Sequence, residues 1–454
     1  MSLWAIAIKS VRQRALASAL TSLSVALGVM LMIVVLVANG MVERMFVQTA
    51  TGYDLIIGPK GSQLELVLTS IYRIGVAGEP LPYRFYRELT SGKNNRIAQA
   101  VPITMGDVTQ QGSFPIVGTT PEYFALPYMH ESDGTPRRFR IRTTSRDGQH
   151  SGEGLIRNPF DSAIGAVVAR QNGWDVGTKL KLVHGGSDGH VHDEEFTVTG
   201  VLAATGTPND RTVFVHLDGF YMISGHEKPL SEAVARELEF FGNVSKESQE
   251  ALEAEKNSSG HSHGPVPEAQ KEVTAILVNI QGSIGEKVLA ESRLMNGLNE
   301  GVQGQAVKPI VQIDRMMQTL VGPIRNLLMG LTSLIIAVSG IGIFVSIYNS
   351  MADRKKEIAI MRALGARRQT VLSVILAEST LLCVIGGLAG FVLAHLMILV
   401  LSPMIAGYGL VIDPWTFAWG ELVLLPVLIA LASLVGFVPG MTAYRTDVAR
   451  TLSD

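Results

Sequence analysis

The sequence predicts a membrane protein, with four transmembrane α-helices and a large α+β extracytoplasmic domain inserted between the first and second spans. Three observations predict it. Four apolar runs each reach the ~20 residues that a bilayer crossing needs. One long polar section, punctuated by Gly and Pro, separates the first run from the other three. No Lys or Arg occurs between Val371 and Gly440, whereas residues 351–370 hold six. That asymmetry puts the 351–370 linker and both termini on the cytoplasmic side of the membrane.

Composition narrows the field. A chain of 454 residues that is 47% hydrophobic and 17% charged suits a mixed membrane and soluble protein of several domains. A net charge of −2, with no large basic domain, argues against nucleic acid as a partner. The single cysteine, Cys383, lies in an apolar run, so neither an intrachain disulfide nor a Cys-based metal site is available.

The elements follow in order. Residues 1–14 mix Trp4, Ile6 and Ile8 with Lys9, Arg12 and Arg14, the pattern of a cytoplasmic amphipathic elbow helix. The first span covers 15–39 and is too long for the ~7–15-residue core of a signal peptide. The extracytoplasmic section covers 40–320. Within it, residues 54–58 read as a short strand, and Leu64–Ile74 as a helix or a second strand. Tyr83–Leu89 reads as a helix, and Ile97–Thr119 as several short strands. Residues 131–159, rich in Arg, Ser, Gly and Asp, read as an irregular loop. The stretch AVVARQNGW predicts a helix, Thr178–Val183 a strand, Gly185–Gly189 a turn, and Glu195–Ala203 and Thr212–Leu217 two more strands. An insertion at 228–272 has a Ser-, Glu- and Lys-rich helical pattern that runs into the low-complexity NSSGHSHGPVPEA. Val273–Ile280 returns to strand and Ile284–Leu298 to helix. The second span is 326–348, the third 371–401, the fourth 418–438, and a polar tail covers 439–454.

The linker between the second and third spans is a short basic amphipathic helix. Ile358, Met361 and Leu364 recur at helical spacing, basic residues fill the other faces, and Gly365 punctuates the end. Such a helix between two spans is where a membrane protein meets a cytosolic partner or the inner lipid surface.

With these residues in place, the chain resembles the FtsX/MacB-like permeases of ABC transporters, the type VII or mechanotransmission group. The resemblance rests on Arg354, Glu357, Ile358, Arg362, Ala363, Gly365 and Ala366 in the linker, and on Glu378 followed by Gly386, Gly387 and Gly390 in the third span. It rests further on the series AVVARQNGWDVGTKLKL, FTVTGVL and DRTVFVHL in the outer domain. It implies that the linker inserts into a groove on an ATPase. Ile358 and Leu364 would fill apolar pockets, and Arg354, Glu357, Arg362 and Arg367 would contact the rim beside Gly365 and Ala366. No Gly-x4-Gly-Lys-Ser/Thr loop is present, so ATP and Mg²⁺ are expected on a separate ABC ATPase subunit and this chain is expected not to be an enzyme. A homodimer is implied, and a periplasmic lipoprotein or adaptor is a further candidate partner. The expected function is to transmit ATP-driven motion to the periplasmic domain, for export, lipoprotein handling or periplasmic work. The tail keeps the family's Arg- and Pro-bearing ending only loosely, at Pro439, Arg445 and Arg450.

Two further sets of residues carry chemistry. Glu378 falls about two turns into the third span, an expensive place for a carboxylate, and is expected to pair with a basic residue such as Arg14 or to serve a dimer contact. Gly386-x3-Gly390 permits close helix approach. Nine of the ten histidines precede the second span. His184, His190 and His192 flank the expected hairpin turn, and His261 and His263 lie in the low-complexity stretch. Imidazoles beside carboxylates suit Zn²⁺. The alternative function is therefore a zinc-linked binding, uptake or regulatory module, set against a merely solvated hairpin tip.

Overall fold

The computed structural model of the chain describes residues 3–76, 78–91, 96–131, 133–184, 191–223, 225–257, 266–353, 362, 365–406, 417 and 419–444. The chain divides into two compact units: residues 1–42, 319–405 and 412–454 form one, and residues 43–318 with 406–411 form the other.

The first unit is helical. A helix over Leu3–Gln13 ends in a turn at Arg14, and helices follow over Ala15–Glu43, Gly322–Asp353, Arg368–Ala406 and Trp419–Tyr444. Four helical runs are long and apolar enough to cross a membrane: Ala15–Gln48, Pro309–Asn349, Arg368–Ser402 and Gly420–Met441. Val25, Val29, Ile33, Ile343, Ile375 and Ala432 are among the side chains buried between helices. Leu16, Leu327, Val392 and Leu434 point outward. An apolar exterior is what lipid requires of a bundle, whose backbone groups must all be satisfied internally.

The third span approaches its neighbours closely. A Cβ added at Gly386 would stand 2.8 Å from Ser22 O and Val25 Cβ, and one at Gly390 would stand 2.5 Å from Ala26 O. One at Gly387 would meet Leu428 Cδ1 at 2.7 Å. The two glycines four residues apart therefore let the third span lie against the first within one subunit, as small residues do at helix contacts in lipid.

The second unit is α+β. Its strands, in chain order, are β1 Leu55–Gly58, β2 Leu81–Pro82, β3 Ile97–Thr109, β4 Pro115–Thr119, β5 Pro127–His130, β6 Pro136–Arg138 and β7 Ile141–Arg142. Then come β8 Asp161–Ile164, β9 Lys179–His184, β10 Val191–Leu202, β11 Val213–His216, β12 Glu272–Val273, β13 Ala275–Ile280 and β14 Gln305–Val307. Ten of them form one mixed sheet in the order β14-β1-β13-β3-β4-β11-β8-β10-β7, with β9 pairing both β10 and β3. The β4–β11 and β8–β10 pairs are parallel and the others antiparallel. Both faces are covered. In β1, Ile56 faces one cluster with Tyr123 and Phe124, while Leu55 and Ile57 face another with Phe85 and Leu89. In β11, Phe214 and the pair Val213/Val215 divide in the same way. This is the period-two alternation of a strand, with neither face left to solvent.

Several elements differ from the sequence expectation. Leu64–Ile74 resolves into a helix, Gln63–Val67, capped by Ser62 Oγ accepting from Glu65 N, and then a π turn over Leu68–Tyr72. Ile97–Thr109 is one long strand rather than several, because Pro102 sits within its ladder with β13 and Gly106 falls at a register shift against β4 that does not end the strand. The 131–159 stretch contributes β6 and β7, three and two residues long and too short to show a period; β7 pairs with β10. The insertion, by contrast, agrees with its helical pattern: it forms the helices Leu230–Phe241 and Lys246–Asn257, tied to the helix Tyr83–Thr90 by Arg84–Glu237 at 2.7 Å and Arg87–Glu247 at 3.2 Å.

Candidate functional site

The chemically distinctive cluster lies where β3, β9 and β10 meet. Asp107 in β3 and His184 at the end of β9 are register partners, so their side chains share a face. β10 begins at Val191 opposite Val183 and brings His192 to the same place. His226, after the short helix Leu217–Tyr221, completes the group. One donor atom from each of Asp107, His184, His192 and His226 lies within 4.8 Å of every other. Asp107 Oδ1 is 3.3 Å from His184 Nδ1, and its Oδ2 is 3.1 Å from His226 Nε2 and 3.8 Å from His192 Nε2. The three imidazoles stand around the carboxylate with ring centroids 4.4–5.1 Å apart. Asp107, His192 and His226 have nearly inaccessible side chains, while His184 is 30% exposed. Burial, with the neighbouring His226 adding to it, holds the His192 imidazole below the ordinary histidine value and so toward the neutral ring.

Of the histidines singled out in the sequence, the structure brings together His184 and His192. His190, His261 and His263 lie outside the described residues. Asp107 and His226 belong to the cluster and were not foreseen. The residues 185–189, Gly-Gly-Ser-Asp-Gly, match Gly-x-Ser-x-Gly in spacing, but they join two antiparallel strands rather than a strand to a helix. Residues 185–189 themselves lie outside the described residues; the Gly-x-Ser-x-Gly motif carries a nucleophile where it leads from a strand into a helix.

In the linker, Arg354, Glu357, Ile358 and Leu364 lie outside the described residues. Arg362 is helical, and Gly365 adopts φ +100°, a conformation open to glycine and strained for other residues, with its N–H donating to Arg362 O at 3.1 Å. Ala366 and Arg367 follow without regular structure, and the third span begins at Arg368.

Within the helical unit, Glu378 is buried beside the fully buried Ser379. A second ionisable pair was not foreseen: His395 Nε2 on the third span stands 3.7 Å from Glu421 Oε2 on the fourth, both side chains largely buried. Ionisable groups inside a span face the bundle interior and pair with one another, and this pair does both.

Comparison with known proteins bears on both units. Residues 18–255 match the MacB-like periplasmic core domain, and residues 329–448 match the FtsX-like permease C-terminal family. Among similar proteins, a macrolide export ATP-binding/permease protein MacB of Neisseria gonorrhoeae is 30% identical over 130 residues, 29% of this chain and 20% of the relative. The Rhodopirellula baltica MacB is 26% identical over 144 residues, 31% of this chain and 20% of the relative. An uncharacterized ABC transporter permease of Methanocaldococcus jannaschii is 25% identical over 174 residues, 38% of this chain and 43% of the relative. The chain thus spans between a fifth and about two fifths of the length of these relatives.

Proposed function

This chain belongs to the family built from a MacB-like periplasmic core domain and an FtsX-like permease C-terminal region, and from that premise we propose that it is the membrane subunit of an ABC system that carries motion rather than solute. ATP binding and hydrolysis take place on a separate ATPase. The 351–370 linker docks in that ATPase, and its displacement moves the spans and, through them, the periplasmic unit. Two copies of the chain work together, as closed symmetry favours for such subunits. The work is done in the periplasm, on a substrate to be exported, a lipoprotein or an adaptor.

The observation that carries this reading is the order of the parts. A single α+β unit separates one apolar helix from three, the core-domain match covers the first helix and most of the α+β unit, and the permease match covers the last three helices. The character of the bundle supports motion over conduction. Its described buried residues are overwhelmingly apolar, with Glu378 and the His395–Glu421 pair as the ionisable exceptions.

The test is the linker. Leu364→Asp combined with Gly365→Pro places a charge in an expected apolar pocket and forces φ near −65° where the chain uses +100°. Co-expressed with its cognate ATPase, the wild-type chain is expected to co-purify with it and to alter its hydrolysis rate in lipid. The double variant is expected to insert into the membrane normally and lose both properties. Intact co-purification and rate modulation in the double variant would sink the docking role.

A further inference from the structure

We propose that Asp107, His184, His192 and His226 form a closed four-ligand site for Zn²⁺ in the periplasmic unit. This does not depend on the permease reading.

His226 Nδ1 lies 2.9 Å from the carbonyl oxygen of Phe220, an acceptor only, so Nδ1 carries the proton and donates it there. In the neutral ring, Nε2 then holds a lone pair. That lone pair faces Asp107 Oδ2 at 3.1 Å, and Oδ2 is also an acceptor. Two buried acceptors this close repel unless a proton or a cation lies between them. A proton on Nε2 would make a hydrogen bond, yet among the described residues neither Nε2 nor Oδ2 has a hydrogen-bond partner. A cation set to one side of the Nε2–Oδ2 line satisfies both. The carbonyl behind Nδ1 is moreover the outer partner that fixes and polarises a metal-bound imidazole.

The charge balance points the same way. Asp107 is buried, and among the described residues only the three histidines stand within ion-pairing distance of it. A buried carboxylate without a cation is costly.

The dimensions suit one ion. Tetrahedral Zn²⁺ with bonds of 2.0–2.1 Å sets its ligands roughly 3.3 Å from one another. Asp107 Oδ2 stands 3.1 Å from His226 Nε2 and 3.8 Å from His192 Nε2, and Oδ1 stands 3.3 Å from His184 Nδ1. Three imidazole nitrogens and one carboxylate oxygen favour Zn²⁺ over Ca²⁺ or Mg²⁺, which take oxygen ligands, and over Cu⁺, which takes sulfur. Four protein ligands leave no position for an activated water, so the site holds rather than hydrolyses. Three ligands stand on paired strands, and the fourth follows the helix Leu217–Tyr221. The ion would therefore tie that segment to the sheet, with the part-exposed His184 as its point of entry.

The experiment uses the full-length chain in detergent, stripped with chelator, incubated with micromolar Zn²⁺ and desalted before metal analysis. One Zn²⁺ per chain is expected to remain, Co²⁺ in its place is expected to give the visible absorption of a tetrahedral centre, and Zn²⁺ is expected to raise the unfolding temperature by mass action. His226→Ala and Asp107→Asn are expected to retain almost none and to lose the temperature shift. His184→Gln, at a part-exposed position that tolerates change, is expected to lose the metal while unfolding like the stripped wild type, which keeps the test decisive if the buried variants misfold. A variant with His190→Gln, His261→Gln and His263→Gln together is expected to keep its one ion. Wild-type protein that retains no Zn²⁺ would overturn the proposal. So would loss of the ion in the triple variant with retention in His184→Gln.

Discussion

Glu237 is an acid buried in the helix Leu230–Phe241, where it accepts from Arg84 Nη1 at 2.7 Å and from Ser245 N at 3.2 Å. Burial pushes its carboxyl up, but hydrogen bonds from Ser248, Arg84 and Ser245 outweigh that and hold it below the usual glutamate value. An acid whose folded pKa is depressed stabilises the fold above its unfolded pKa, and that contribution is lost as pH falls through the folded value. The periplasmic unit should therefore weaken as pH drops below about 4.3, the ordinary glutamate value. Glu237→Gln is expected to cost about 1–3 kcal/mol at neutral pH, the worth of a charge-assisted bond, and to flatten the acid limb. Thermal unfolding at pH 7 and pH 4 measures both; equal acid sensitivity in the variant and the wild type would remove Glu237 as its source. The histidine cluster shows the limit of reading at this scale. His184 and His192 were legible because a single hairpin sets their spacing. Asp107 lies 77 positions before His184 and joins it only because β3 pairs with β9, a choice no local pattern reveals. His226 depends on where a five-residue helix ends.

At the scale of the element, the four spans and the longer strands of the outer unit were legible because apolar runs and period-two alternation are local signals. The π turns at Arg44–Gln48, Leu68–Tyr72 and Met317–Val321 were not, since a shift from i→i+4 to i→i+5 bonding leaves the residue pattern almost unchanged. The glycines of the third span lie between these cases. Their four-residue spacing announces a close contact but does not say with what. The structure places Gly386 and Gly390 against Ser22, Val25, Ala26 and Val29 of the first helix. Gly390→Val would drive a branched side chain into Ala26 O and Val29, with backbone on one side that cannot move aside. Overpacking of this kind costs about 1–3 kcal/mol. The expected result is a lower unfolding temperature in detergent with the oligomeric state unchanged; a destabilised assembly with an intact monomer fold would move this contact to an interface between subunits.

At the scale of the whole molecule, topology decides what each unit can meet. Residues 351–370 hold six Lys and Arg, and Val371 to Gly440 hold none. The positive-inside rule then predicts a linker that a cytosolic ATPase can reach and residues 43–318 that it cannot. Cys383 is the sole cysteine and is buried in the third span, so Cys383→Ser leaves a background without thiols in which single cysteines report their side of the membrane. A cysteine at Lys355 is expected to resist a membrane-impermeant maleimide in cells with a permeabilised outer membrane and to react after the inner membrane is opened. A cysteine at the exposed Glu253 is expected to react in both conditions. The reverse pattern would place the linker outside. The docking role would then fail for want of access, while the histidine–carboxylate cluster, which needs only its own four side chains, would keep its chemistry on whichever side it lies.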